Sequence, residues 1–366
     1  MAYLPDFAMP AASAMSGKHP FIFLPALALA GILGCIQPGE SAAQSPAIQT
    51  PAPVAAAAAG PGFAIPIDCA LGRDCFILNY FDRDPGPGIL DFGCGRQSND
   101  GHDGTDFGIS DEQAMAGGVA VLASAAGAVL RARDGISDRR TEATKEAAQL
   151  KGIECGNGAV IDHGNGWQTQ YCHMRNGSVA VRPGMQVEKG TVLGMVGMSG
   201  LASYPHVHLT IRYQGKPVDP FVGVGAAAGC QLERHPLWEQ SLEYVGTGLI
   251  KGGFSRQPPG DSNTLWNGSF SKSSVSTKSP ALIFWVHLFG VLKGDGEHFR
   301  LLAPDGAVIL EHKREIRSPN RINWSSFVGK KNTGERPLAP GVWRGEYQLV
   351  RGDRVVVDVT REVELR

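Results

Sequence analysis

Four side chains of this 366-residue chain have the types and spacing of a metal centre: His102 and Asp106, and much later His206 and His208. Imidazole and carboxylate are ordinary zinc ligands, and a catalytic zinc takes three protein ligands plus an open position for water. His102, Asp106 and one of the two later histidines fill that set. In Ser203-Tyr204-Pro205-His206-Val207-His208-Leu209-Thr210-Ile211 the β-branched and apolar residues predict a strand, on which side chains two apart share a face. His206 and His208 then point the same way. One serves as ligand, and the other stands beside the activated water as a general base or a stabiliser of developing charge. The combination reads as a zinc hydrolase.

These residues need elements to position them. The i, i+4 spacing of His102 and Asp106 would suit one helix face, but Gly101 and Gly104 argue for a loop entering a strand. Asp103 is a rival ligand by composition, and taken alone the segment Gly101–Gly108 is a Gly/Asp-rich turn. Between the two histidine motifs, Gly156 to His173 reads as a hairpin with Asn165-Gly166 at its turn. His173 falls at the end of its second strand, either as a further imidazole in the cleft or as a half-buried strand-end histidine. His163, near the turn, has a structural role as its expected one.

Together these segments resemble the lysostaphin/LytM-type zinc endopeptidases, which cut peptide cross-bridges in bacterial cell walls. The family's His-x-x-x-Asp matches His102 and Asp106, its Tyr-x-His matches Tyr171-Cys172-His173, and its His-x-His matches His206 and His208. Val119-Ala120-Val121-Leu122-Ala123 with Gly127, and Val187 to Gly200, match the intervening frame, so the resemblance runs from about Gly101 to Phe221. It implies a duplicated hybrid motif fold, zinc ligands His102, Asp106 and His208, and catalytic imidazoles His206 and His173. The implied chemistry is metal-assisted peptide hydrolysis, with His206 accepting or orienting the water proton, His173 stabilising the oxyanion, and the two roles exchangeable. Some relatives have lost ligands and act only as activators of other wall hydrolases; here the set is complete. The segment Asp134 to Glu154 is an insertion relative to the family, charged and partly helical in pattern, read as a flank of the cleft, a lid or a solvated excursion.

The amino terminus points outside the cytoplasm. Lys18-His19 precedes an apolar run from Phe21 to Leu33, too short to span a bilayer and suited to a signal-peptide core. Ser41-Ala42-Ala43 before Gln44 offers a cleavage site, which makes residues 1–43 the signal peptide; Ile32-Leu33-Gly34-Cys35 offers the alternative of a lipoprotein box. Met15 is a second candidate start. Setting Cys35 aside, Cys69, Cys75, Cys94, Cys155, Cys172 and Cys230 form an even set suited to disulfides in an oxidising compartment, the periplasm or cell envelope. Their pairing is open, although Cys69 and Cys75 are near enough for a small loop. Cys172, beside His173, also admits a nucleophile reading, with a disulfide as the expected state.

A hydrophobic content of 43% gives material for two cores, and a net charge of -1 argues against an electrostatic grip on nucleic acid or anionic polymers. The expected architecture is mainly β: an antiparallel zinc peptidase core at 100–222 and a β-sandwich accessory domain at 239–366. An Ala/Pro-rich linker at 44–62 and a pre-catalytic segment at 63–99 come first. The run Asp82-Arg83-Asp84 is a plain turn by expectation, with calcium as the rival occupant. Tail strands are read at Ala281–Leu288, His298–Leu302, Val308–Glu311, Gly345–Val350 and Val355–Val359, with Trp285, Trp324 and Trp343 as packing residues and contact with the wall or a protein as the tail's implied role. Two function classes follow: an endopeptidase acting on peptidoglycan peptides, and a non-catalytic zinc-binding regulator of another hydrolase.

Overall fold

The computed structural model describes residues 60–141, 146, 148–260, 262–272 and 275–366. The expected signal peptide, its competing endings at Ala43 and Cys35, most of the linker and the middle of the charged insertion lie outside the described residues. Among the described residues no helix is long and apolar enough to cross a membrane.

The first half of the described chain is built on an antiparallel sheet. Its strands run β1 (Cys75–Asn79), β2 (Thr105–Ile109), β9 (His206–Tyr213), β6 (Trp167–Met174), β5 (Asn157–Gly164), β4 (Gly127–Arg133), β7 (Gln186–Val187), and β10 (Lys216–Val218) pairs with the free part of β9. A second ladder joins β3 (Ala120–Leu122) to β8 (Val192–Met195), and one short helix, α1 (Glu112–Gly117), follows β2. The expected hairpin is β5–β6, and its turn residues Asn165 and Gly166 both take positive φ, 52° and 84°. Two consecutive left-handed residues are what a two-residue turn needs to match strand twist.

Alternation on β9 explains how one strand serves both core and site. Val207, Leu209 and Ile211 are fully buried with Phe107, Trp167 and Tyr171 in the core, while His206, His208, Thr210 and Arg212 leave from the opposite face. The pre-catalytic segment packs on this module: β1 is an edge strand of its sheet, and Phe63, Tyr80 and Phe92 enter its core. Three disulfides stitch the irregular parts, Cys69–Cys75 at the start of β1, Cys94–Cys230 across the segments flanking the sheet, and Cys155–Cys172 beside β6.

The tail folds as a β-sandwich. One sheet orders β11 (Gly248–Ser255), β12 (Ala281–Val291) and β15 (Arg321–Lys331); the other orders β14 (Val308–Glu315), β13 (Gly296–Leu302), β16 (Gly341–Arg351) and β17 (Arg354–Leu365). Their facing sides form one core from Leu282, Phe284, Val286 and Leu288 on β12, Phe299 and Leu301 on β13, and Trp343, Tyr347 and Leu349 on β16. The other face of β12 is covered too. Trp285 packs on Leu265 and Phe270, and Phe289 packs with Trp266, Phe76 and Leu78, the last two from β1. Burial on both faces accounts for the unbroken apolar run of that strand. Leu265 and Trp266 belong to a short helix, α2 (Ser262–Trp266). Residues 239–247 precede the sandwich, and Leu242 and Tyr244 among them pack against the first module's core.

Candidate active site

Strand pairing assembles the site. Asp106 lies opposite His208 in the β2–β9 ladder, and Cys172, the neighbour of His173, lies opposite His208 in the β6–β9 ladder. His102 comes from the loop before β2, and its backbone is held by the pre-catalytic segment: its carbonyl accepts from the Asp82 amide at 2.9 Å. The Asp82 carboxylate in turn accepts from the amides of Asp84, Leu90 and Gly101. That carboxylate is committed to bracing a turn, as expected, rather than to calcium.

Hydrogen bonds decide which nitrogen of each imidazole is free. His102 Nδ1 stands 2.7 Å from the Tyr80 carbonyl. A carbonyl only accepts, so Nδ1 carries the proton and Nε2 presents a lone pair. His208 is turned the other way. Its Nε2 faces Thr210 Oγ1 at 2.9 Å and the Asp103 carboxylate at 3.3 Å, which leaves Nδ1 as the free acceptor. His102 Nε2, His208 Nδ1 and Asp106 Oδ1 then lie 2.9–3.1 Å from one another. Three electron-pair donors at such distances repel unless a cation sits among them, and two nitrogens with one carboxylate oxygen suit zinc. Lacking a metal, the cluster attracts a proton instead. Burial disfavours the charge on His208, but the carboxylates of Asp103 and Asp106 outweigh it and raise the imidazole to about 9. Burial likewise works against ionised Asp106, and His102 and His206 overcome it, holding the carboxyl well below the usual range.

The remaining two imidazoles flank this cluster. His206 donates from Nδ1 to the Tyr204 carbonyl at 2.8 Å, and His173 donates from Nδ1 to the Ser199 carbonyl at 2.8 Å. Both therefore offer Nε2 as an acceptor, with ring centres 4.6 Å apart. His206 Nε2 is 3.6 Å from Asp106 Oδ1. Burial lowers the pKa of both rings, keeping them neutral near pH 7. His173 adopts a positive φ of 63°, and its amide donates to the Cys155 carbonyl, so the Cys155–Cys172 bridge lies directly at its backbone. Cys172 is thereby a structural cysteine and no nucleophile.

All five expected site residues come together. Asp103 does not join the cluster; it stands behind His208, on the far side of the imidazole. His163 bonds the Ala126 carbonyl and Thr169 Oγ1, a structural role. The described ends of the insertion are fastened beside the cleft: Asp138 accepts from the amides of Asn176 and Met198, and Thr141 donates to the Ala202 carbonyl. Sequence reasoning missed Asn79 and Tyr204. Both bond Asp106 Oδ2, from the Asn79 amide at 2.8 Å and the Tyr204 hydroxyl at 2.9 Å. Tyr204 lies inside the His-x-His segment and was within reach; Asn79 carries no motif.

A model of peptidase family M23 matches residues 100–220. The cell division protein DipM of Caulobacter vibrioides is 38% identical over 71 residues, 18% of this chain and 11% of that protein. The peptidoglycan DD-endopeptidase ShyA of Vibrio cholerae is 36% identical over 64 residues, 18% of this chain and 14% of that protein. The match thus spans only 11% and 14% of the length of these curated relatives. Among solved structures, a zinc-containing peptidase from Vibrio cholerae aligns with 44% of this chain and 39% of its own at 24% identity and a TM-score of 0.30. The matched residues include His102, Asp106, His173, His206 and His208, and residues 100–220 carry the match to peptidase family M23.

Proposed function

We propose that this chain is a zinc-dependent endopeptidase that hydrolyses peptide cross-links of bacterial peptidoglycan. The observation that carries the reading is the tautomer pattern: three lone pairs converge on one point, and two further imidazoles aim their free Nε2 into the same cleft. His102 Nε2, Asp106 Oδ1 and His208 Nδ1 would hold the ion. When bound, zinc supplies Lewis acidity, activating water and polarising the scissile carbonyl.

The protein's own groups do the rest. His206 Nε2, unprotonated at neutral pH, takes the proton from the attacking water. His173 Nε2 is also an acceptor while its ring is neutral, so it must first gain a proton before it can donate to developing negative charge or to the leaving amine. One buried imidazole thus accepts a proton, and the pair passes it on. Asp103 and Thr210 keep His208 in the tautomer that frees Nδ1. Peptidoglycan as substrate is supported by the similarity to ShyA, the peptidoglycan DD-endopeptidase of Vibrio cholerae. Three disulfides support an oxidising location, periplasm or cell envelope.

The test is digestion of purified sacculi by zinc-loaded protein beside a His206→Ala control, with released muropeptides followed by mass spectrometry. Cross-linked species falling to monomers with the wild type alone support the proposal; intact cross-links after incubation with folded, zinc-bound wild type contradict it.

A further inference from the structure

Tyr204 touches the site three times. Its hydroxyl donates to Asp106 Oδ2 at 2.9 Å, its carbonyl accepts from His206 Nδ1 at 2.8 Å, and its ring lies 4.5 Å from the His206 ring at 34°. One residue therefore orients a carboxylate of the metal cluster and fixes both the tautomer and the plane of an imidazole. Yet Tyr204 belongs to no strand or helix, so regular backbone pairing does not set its ring. Its ring is held from the other module. Trp266, at the end of α2, stacks on it at 5.2 Å and 21°.

Trp266 is firmly seated. It is 3% exposed and packs with Phe76 and Leu78 of β1 and with Ile250 and Phe289 of the sandwich, while its edge meets His287 at 4.6 Å. Asn79 directly follows Leu78 on the same edge strand, and the Asn79 amide donates both to Asp106 Oδ2 and to the Tyr204 hydroxyl at 2.6 Å. A continuous row of rings, Trp266, Tyr204, His206 and His173, runs from the accessory sandwich into the cleft.

We infer that Trp266 is a positioning residue for the metal centre: the accessory sandwich sets Tyr204 through Trp266, and Tyr204 sets Asp106 and His206. The tail is thus part of the working site, whatever else it contacts. The inference rests on the metallopeptidase reading for its purpose, but its test needs no substrate. Partners that orient a metal ligand change affinity by roughly 10–100-fold when removed.

The experiment uses the full chain, stripped of metal. Zinc affinity is measured by competition with a chromogenic chelator, and the visible spectrum is recorded after loading Co2+, for wild type, Trp266→Leu, Trp266→Phe and Tyr204→Phe. Trp266→Leu is expected to bind zinc roughly 10–100-fold more weakly with a shifted Co2+ spectrum, whereas Trp266→Phe, which keeps a ring, stays close to wild type. A folded Trp266→Leu with wild-type affinity and spectrum overturns the inference. Should Trp266→Leu fail to fold, Tyr204→Phe decides, because it keeps the stack and removes only the hydroxyl: unchanged zinc affinity and spectrum there overturn the relay. Wild type that binds metal but leaves sacculi intact sinks the endopeptidase proposal and not this one.

Discussion

Proton positions on four imidazoles carry most of the functional argument at the scale of single residues. His102, His206 and His173 each spend Nδ1 on a backbone carbonyl, and His208 spends Nε2 on Thr210 and Asp103. Replacing His206 by Ala is expected to leave zinc stoichiometry intact while lowering kcat about 10²–10⁴-fold, the range for loss of a positioned general base; metal analysis beside turnover checks this. Gly104 bears on the same site without any polar group of its own. A methyl placed there would lie 2.5 Å from the Leu209 carbonyl and 2.6 Å from His208 Nε2. Gly104→Ala should therefore push His208 out of line and weaken zinc binding roughly 10–100-fold, read by chelator competition. The His-x-x-x-Asp and His-x-His spacings made His102, Asp106, His206 and His208 legible from sequence, because strand periodicity alone puts His206 and His208 on one face. Asn79 was not legible: it meets Asp106 through pairing of β1 with β2, which no local spacing announces.

At the scale of elements, the β5–β6 hairpin and the strand bearing the His pair followed from turn chemistry and alternation. Two tail strands did not. In β11 the glycines Gly252 and Gly253 replace the expected apolar positions, and Gly253 lies against the Trp285 ring. In β15 the run Ser325-Ser326-Phe327-Val328-Gly329-Lys330-Lys331 breaks the alternation that marks a strand. Of the disulfides only Cys69–Cys75, six residues apart, was suggested by sequence; the partners of the other two bridges meet only in the fold. The Cys155–Cys172 bridge closes a loop with a separation of 17 residues and adjoins His173. Loop-entropy reasoning gives such a bridge about 3 kcal/mol. Changing both cysteines to Ser should lower the melting temperature accordingly and reduce kcat through the loosened His173, with calorimetry and turnover as the two readouts.

For the whole molecule, the two modules meet through an apolar seam, and a buried histidine at that seam makes stability sensitive to acid. His287 on β12 sits under Trp266 and bonds Asn323 Oδ1. Burial, partly opposed by that bond and by the charge of Asp111, lowers its pKa from 6.5 to about 4. The neutral ring is favoured in the fold, so its contribution is fully present above pH 6.5 and is lost as pH falls toward 4, where the unfolded chain binds the proton first. That gap corresponds to about 3 kcal/mol. Urea unfolding across this range should show wild type losing stability on acidification, with the loss reduced by that order in His287→Gln. The central claim, that His102, Asp106 and His208 hold the ion on which peptide hydrolysis depends, has a more direct test. Purified cross-linked muropeptide dimer is offered to full-length protein stripped by a chelator, to the same protein after one equivalent of zinc is restored, and to Asp106→Ala given the same zinc. Monomer formed only by the zinc-restored wild type is the predicted result; cleavage by the stripped protein, or equal cleavage by Asp106→Ala, would contradict the account.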